Sequence, residues 1–151
     1  MTMTRCLRVL LVVAGMAALA CDEKLSDLTG PTPNLEPSFS SIEQNIFQAT
    51  DSSGRAACTQ CHTSSGGRTP PQGLSLDPGA AYGSLVGVAS RQKPGLLRVN
   101  PGNPDESYLV HKLEGRADIV GQRMPRTAGP FLTEGQMMVI RRWIALGAPN
   151  N

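Results

Sequence analysis

The chain has 151 residues, a formal charge of +2 and an aromatic content of only 4%. One domain is the default at this length. Once Arg5 and Arg8 are set aside with the N-terminal segment, the remaining 12 basic and 12 acidic residues balance. Neither nucleic acid nor an anionic membrane surface is implied as a partner by charge. With 16 glycines and 12 prolines, the chain is loop-rich and short of large apolar side chains. It would build a thin core unaided.

Residues 1–20 have the form of an export signal. Arg5 and Arg8 form a basic start, Val9 to Ala20 is apolar, and Ala18-Leu19-Ala20 supplies small residues before Cys21. The apolar run is too short to span a bilayer. Cleavage after the Ala18-x-Ala20 pattern would release a soluble exported form. The segment also resembles a bacterial lipoprotein signal, which implies Cys21 as the lipidated first residue and a membrane anchor. An unpaired terminal thiol would otherwise be exposed and reactive. Residues 21–39 read as a flexible tether, polar and broken by Pro31, Pro33 and Pro37. About 17 residues of such chain reach on the order of 20–25 Å.

The folded region is expected over 40–151. A helix should start near Ser40, where Ser40-Ser41-Ile42-Glu43 has capping-box form and Ile42, Ile46 and Phe47 share a face. The link from Asp51 to Arg55 delivers Cys58-Thr59-Gln60-Cys61-His62. Two thiols three positions apart with an imidazole directly after them suit covalent haem attachment, the histidine serving as axial iron ligand. One turn presents both sulfurs to the edge of the macrocycle, and the next residue carries a ring nitrogen to the iron. A zinc clip would need two further soft ligands, and the mature chain offers only His111 besides Cys21. A thioredoxin-like pair would need a βαβ setting, which the pattern lacks. The remaining alternative is a disulfide with an incidental histidine.

Ser64 to Gly73 is a Gly-, Ser- and Pro-rich loop. A carbonyl from it, at Pro70 or Pro71, would receive the other N–H of His62. Ala80 to Gly87 suggests a short helix with Tyr82, Leu85 and Val86 inward, and the stretch up to Asn100 is irregular. A helix with Asn103 as N-cap and Pro104 at its first position should carry Tyr108, Leu109 and Leu113 and stop at Gly115. His111 falls off that apolar face and reads as a solvated or capping residue rather than a ligand. Thr133-x-x-Gln136 is a capping box for a last helix with Met137, Ile140, Trp143 and Ile144 as its stripe, ended by Gly147 and Pro149. It should cross the Ile42–Phe47 helix with Trp143 at the contact. Met137 and Met138 read as core filler. Met124 differs, lying in the loop Gln122-Arg123-Met124-Pro125, where Pro125 favours an extended backbone at Met124. It is the candidate for the second axial position, with Arg123 and Arg126 beside it.

Cysteine counting then closes. Cys6 leaves with the signal, Cys21 takes lipid, and Cys58 and Cys61 take haem. Both the signal and the motif point outside the cytoplasm.

The succession of helix, Cys-x-x-Cys-His, loop, Met-Pro loop and C-terminal helix resembles a class I mono-haem cytochrome c. More narrowly it is similar to planctomycete-type cytochrome c domains. The resembling pieces are Gly73-Leu74-Ser75-Leu76, Val99-Asn100-Pro101-Gly102-Asn103-Pro104 with Ser107-Tyr108-Leu109, Arg123-Met124-Pro125, and Trp143-Ile144-Ala145-Leu146-Gly147-Ala148. The resemblance implies a mostly α, small cytochrome c-like fold around one covalent haem c. It implies thioethers at Cys58 and Cys61, with His62 and Met124 as axial ligands. The expected function is a one-electron carrier rather than an enzyme, in the periplasm or cell envelope, exchanging electrons with redox partner proteins. A haem sensor or peroxidase-like module with a displaceable Met124 is the alternative.

Overall fold

The structure is a computed structural model, and it describes residues 35–126 and 130–151. The export signal, Cys21 and most of the tether lie outside the described residues. Among these residues the fold is mostly helical. Four α-helices, α1 Phe39–Ile42, α2 Ala81–Leu85, α3 Tyr108–Glu114 and α4 Glu134–Ala145, are joined by short 3-10 turns. Strand pairing is confined to three isolated bridges, Val86 with Val99, Ala89 with Leu97, and Leu97 with Ser107.

The first helix begins one residue before its expected start. Its cap is Ser38, whose hydroxyl accepts from the Ser41 N–H. Helix α1 then widens into a π-turn over Glu43–Phe47, closed by the Gln48 N–H to the Glu43 carbonyl. Ile42, Ile46 and Phe47 all face the core. So do Leu35 and Phe39, which the sequence reading places in the tether. The folded body therefore starts earlier than residue 40. Leu35 and Phe39 are apolar residues within reach of a core face, and flanking prolines do not prevent their burial.

Helix α4 matches its expected form. Thr133 accepts from the Gln136 N–H, and the Gln136 side chain accepts from the Thr133 N–H. Met137, Ile140, Trp143 and Ile144 are buried, but Met138 is 56% exposed and fills no core space. One helical position separates the two methionines by about 100°, which turns Met138 to solvent. Trp143 lies beneath α1, with its ring centroid 5.6 Å from that of Phe39. Phe39 also meets Tyr82 edge-on at 5.1 Å. The polar ends of the two larger rings are satisfied by the last residues of the chain. Trp143 Nε1 donates to the Pro149 carbonyl and the Tyr82 hydroxyl to the Ala148 carbonyl, both at 2.9 Å. This arrangement lets two amphipathic aromatics be buried without an orphaned donor.

The helix expected from Asn103 is broken. Pro104–Glu106 is a 3-10 turn, Ser107 is extended (φ −96°, ψ 115°), and α3 follows. The break has a physical cause. It turns the Tyr108 and Leu109 N–H groups to the Leu97 and Arg98 carbonyls, and the buried Ser107 hydroxyl accepts from the Asn100 N–H. These bonds tie the irregular 86–100 stretch to α3. Helix α3 ends as expected at Gly115, in the left-handed conformation (φ 73°).

Trp143 heads the largest fully buried side chains and packs against Phe39 of α1. Trp143→Ala is expected to lower unfolding stability by about 3–5 kcal/mol. Urea titration followed by far-UV circular dichroism checks this. A loss under about 1 kcal/mol would mean that the contact carries little of the fold.

Candidate functional site

The Cys58–His62 turn hangs from the π-turn that follows α1, through the Ile46 carbonyl. Cys58–Gln60 is a single 3-10 turn, and the Cys61 and His62 N–H groups both donate to the Cys58 carbonyl, at 3.2 and 2.9 Å. The Cys58 thiol is partly buried against the hydrophobic core and donates to the Ile46 carbonyl at 3.7 Å. Cys61 is exposed, and both thiols are free. Burial pushes the Cys58 thiol above its ordinary range, against the pull of the nearby Arg55 guanidinium.

Arg55 anchors the approach to this turn and was not singled out by its sequence pattern. Its side chain is only 1% exposed. It pairs with Asp51 at 3.1 Å and donates from Nη1 to the Ile46 carbonyl at 3.0 Å, while its Nη2 has no partner among the described residues. The Asp51 carboxyl lies below its usual range. Burial alone would raise it, but the Ser53 hydroxyl, the Arg55 and Ser53 N–H groups and the Arg55 charge outweigh that effect.

His62 is set by one hydrogen bond. Its Nδ1 is 3.3 Å from the Leu74 carbonyl oxygen. A carbonyl only accepts, so Nδ1 carries the proton and Nε2 keeps its lone pair, as a metal ligand requires. Burial holds the ring below its ordinary range, opposed by that hydrogen bond and reinforced by the positive charges of Arg98 and Lys112. The neutral form is therefore favoured. The acceptor is Leu74 rather than Pro70 or Pro71. Those two carbonyls are already used within the loop, by the Gly73 and Leu74 N–H groups.

The residues after His62 are stitched to those after Leu74. The His62 carbonyl accepts from the Leu76 N–H at 2.8 Å. The Asp77 carboxylate takes the Thr63 hydroxyl at 2.5 Å, the Ser64 N–H at 2.7 Å, and the hydroxyls of Ser64 and Ser75 at 2.8 and 2.9 Å. Arg98, 8% exposed, closes the far side by donating to the carbonyls of Gln72, Gly73 and Ser84.

Met124 is held from α3. Its N–H donates to the Lys112 carbonyl at 2.9 Å. The Lys112 ammonium, on a side chain that is almost wholly buried, donates to the carbonyls of Val120 and Gln122 at 3.0 and 2.6 Å. Burial lowers its pKa. Arg123 donates from Nε to the Leu113 carbonyl at 2.7 Å and stacks 3.9 Å from the Phe131 ring centroid. It is thus tied into the end of α3. Gly115 makes room for it, since a Cβ there would lie 2.8 Å from Arg123 Cδ. The Met124–Pro125 peptide is cis. Met124 itself is partly buried against the core that also receives Cys58 and Leu74. Among the described residues no hydrogen bond joins the Cys58–His62 turn to the Met124 loop; each is held by its own segment on one core.

His111 is a correction. It is buried, with Nε2 2.7 Å from the Asp105 carbonyl oxygen and Nδ1 3.2 Å from the Asp118 carboxylate. The break at Ser107 brings the 3-10 turn back over the helix and covers it. Both nitrogens are engaged, so His111 is no ligand, but it is not a solvated residue either. Among the described residues no three His, Cys, Asp or Glu side chains cluster as a metal site, and no helix is long and apolar enough to cross a membrane.

The residues present fit a haem. A free pair of thiols and a histidine with a bare nitrogen share one turn, and a thioether is fixed on the same core. No family model matches the chain, and neither a curated protein nor a solved structure does.

Two outcomes follow. Gly115→Ala should cost at least about 1–2 kcal/mol through the left-handed backbone alone, and displacement of Arg123 should speed amide exchange at Met124. Exchange at Met124 that matches the wild type would mean that the loop is not braced there. For Asp51, a folded pKa below the unfolded one means that its stabilisation is full above about pH 4. It is lost as pH falls through the lower folded value, so Asp51→Asn should be less stable at neutral pH and flatter on the acid limb. Urea midpoints between pH 2 and 7 test the sign.

Proposed function

We propose that the protein is an exported one-electron carrier, a small cytochrome c-like domain with one haem c attached through Cys58 and Cys61. The observation that carries this reading is the His62 Nδ1–H to Leu74 carbonyl bond within a Cys-x-x-Cys-His turn. It supplies a neutral imidazole with Nε2 unprotonated, directly beside two free thiols. When bound, the haem supplies an iron that cycles between ferric and ferrous states.

The chain's own residues do the rest. Cys58 and Cys61 would hold the group covalently, and His62 and Met124 would be the protein ligands to its iron. With both ligands held in place no open site would remain for a substrate, which suits transfer of an electron without bond making. The Leu74 carbonyl sets the donor strength of His62. The buried core behind Cys58 and Met124 excludes water and so raises the potential. Lys112, Gly115 and Arg123 brace the Met124 loop, and this bracing favours the carrier over a sensor whose methionine must leave.

Export through the signal at residues 1–20, lipid on Cys21 and a tether to the domain complete the proposal. The domain would work in the periplasm or cell envelope, exchanging electrons with protein partners in small transient encounters. A metal clip would need further ligands, and among the described residues no three His, Cys, Asp or Glu side chains cluster to supply them.

The test is an absorption spectrum of protein made with haem-attachment machinery, for wild type and Met124→Ala. The wild type should show a c-type spectrum with the weak red band of sulfur–iron(III) ligation, and the variant should lose that band only. A colourless wild type would sink the proposal. An unchanged band in Met124→Ala would remove Met124 from the iron.

A further inference from the structure

We infer that Asp77 is the positioning residue for the His62 axial ligand. The inference rests on the haem reading above. His62 and its acceptor Leu74 are separated by a loop in which Gly66, Gly67 and Gly73 all have positive φ and which holds few internal bonds. The Leu76 N–H to His62 carbonyl bond and the Arg98 bonds to the Gln72 and Gly73 carbonyls tie its backbone, and a side-chain tie across it would keep the Leu74 carbonyl opposite Nδ1. The Asp77 carboxylate is placed to do so, because its four donors come from both sides. Thr63 and Ser64 immediately follow His62, and Ser75 immediately follows Leu74. A carboxylate has about four acceptor positions, so all of its capacity is spent on this clasp. Bonds to a charged acceptor are also the stronger kind.

The clasp is anchored in turn. The Asp77 carbonyl accepts from the Ala80 and Ala81 N–H groups at the start of α2, at 3.0 and 3.1 Å. The Ser75 N–H donates to the Ser84 hydroxyl on that helix at 3.1 Å. Helix α2 is itself seated in the core through Ala81 and Leu85. The line of force therefore runs from the core through α2 and Asp77 to both halves of the His62–Leu74 bond. A free loop would let that bond fluctuate, and the imidazole would become a weaker donor to the iron.

The experiment compares full-length haem-loaded wild type with Asp77→Asn and with Thr133→Ala, which removes a helix cap far from this loop. Asp77→Asn should keep covalent haem. Its His62 Nδ1–H should exchange with solvent at least about tenfold faster, the size of one lost hydrogen bond to a charged group. Its reduction potential should rise, because the less basic imidazole stabilises ferric iron less. The rise should persist in about 1 M salt, where the Debye length is about 3 Å and an exposed charge is screened. Thr133→Ala should be destabilised with neither change. Wild-type exchange and potential in a loaded Asp77→Asn protein would overturn the inference and leave the haem reading intact. So would a rise that vanishes in salt, or one that Thr133→Ala reproduces. A colourless wild type would overturn both together.

Discussion

An acceptor on one imidazole nitrogen fixes the tautomer and the ring orientation, and so settles which nitrogen is left bare for an iron. In this protein the acceptor is the Leu74 carbonyl, 3.3 Å from His62 Nδ1. Much of the structure can be understood as keeping that one distance. The turn that carries His62 is hung from the π-turn that follows α1, the loop that carries Leu74 is tied through Asp77 and Arg98, and α2 is packed to hold both. The small aromatic cluster of Phe39, Tyr82 and Trp143 then binds α1, α2 and α4 into one body. A chain with few large apolar residues spends them where they fix the histidine's neighbours.

The second half of the proposed site is built by different means. Helix α3 is short, and its Lys112 works at both ends of the residue. The carbonyl receives the Met124 N–H, and the ammonium gathers two carbonyls from the preceding loop. A buried lysine without a carboxylate is costly unless its donors are used. Here they organise a loop that has no regular structure of its own. Gly115 allows Arg123 to fold back onto α3, so the residue before Met124 is pinned as well. A thioether held this way is suited to a fixed ligand, which is why electron transfer is the preferred reading over sensing.

Local chemistry was legible in the sequence, and long-range accounting was not. The Thr133 and Gln136 capping box, the Trp143 stripe and the Gly115 stop rest on spacing within a few residues, and all appear in the structure. The Cys58–His62 motif is likewise read from its own five residues, although the turn it forms is anchored from Ile46, Arg55 and Leu74. The sequence points to Pro70 or Pro71 as the acceptor for His62, yet their carbonyls are consumed by the Gly73 and Leu74 N–H groups. Asp77 carried no motif, since its donors lie 13 and 14 residues away as well as two. The break at Ser107 is hidden for the same reason: the carbonyls of Leu97 and Arg98 take the Tyr108 and Leu109 N–H groups, which an unbroken helix would direct to Pro104 and Asp105. That break also buries His111, which the helical wheel had turned outward.

The proposed function requires Cys58 and Cys61 to be covalent attachment points. The most direct measurement is the intact mass, under denaturing conditions, of the exported chain made with haem-attachment machinery, for wild type and for Cys58→Ser with Cys61→Ser. The account predicts that the wild-type chain carries the added mass of one haem after denaturation and that the double variant carries none. A wild-type chain of unmodified mass, or lighter by two hydrogens as for a disulfide, would contradict it.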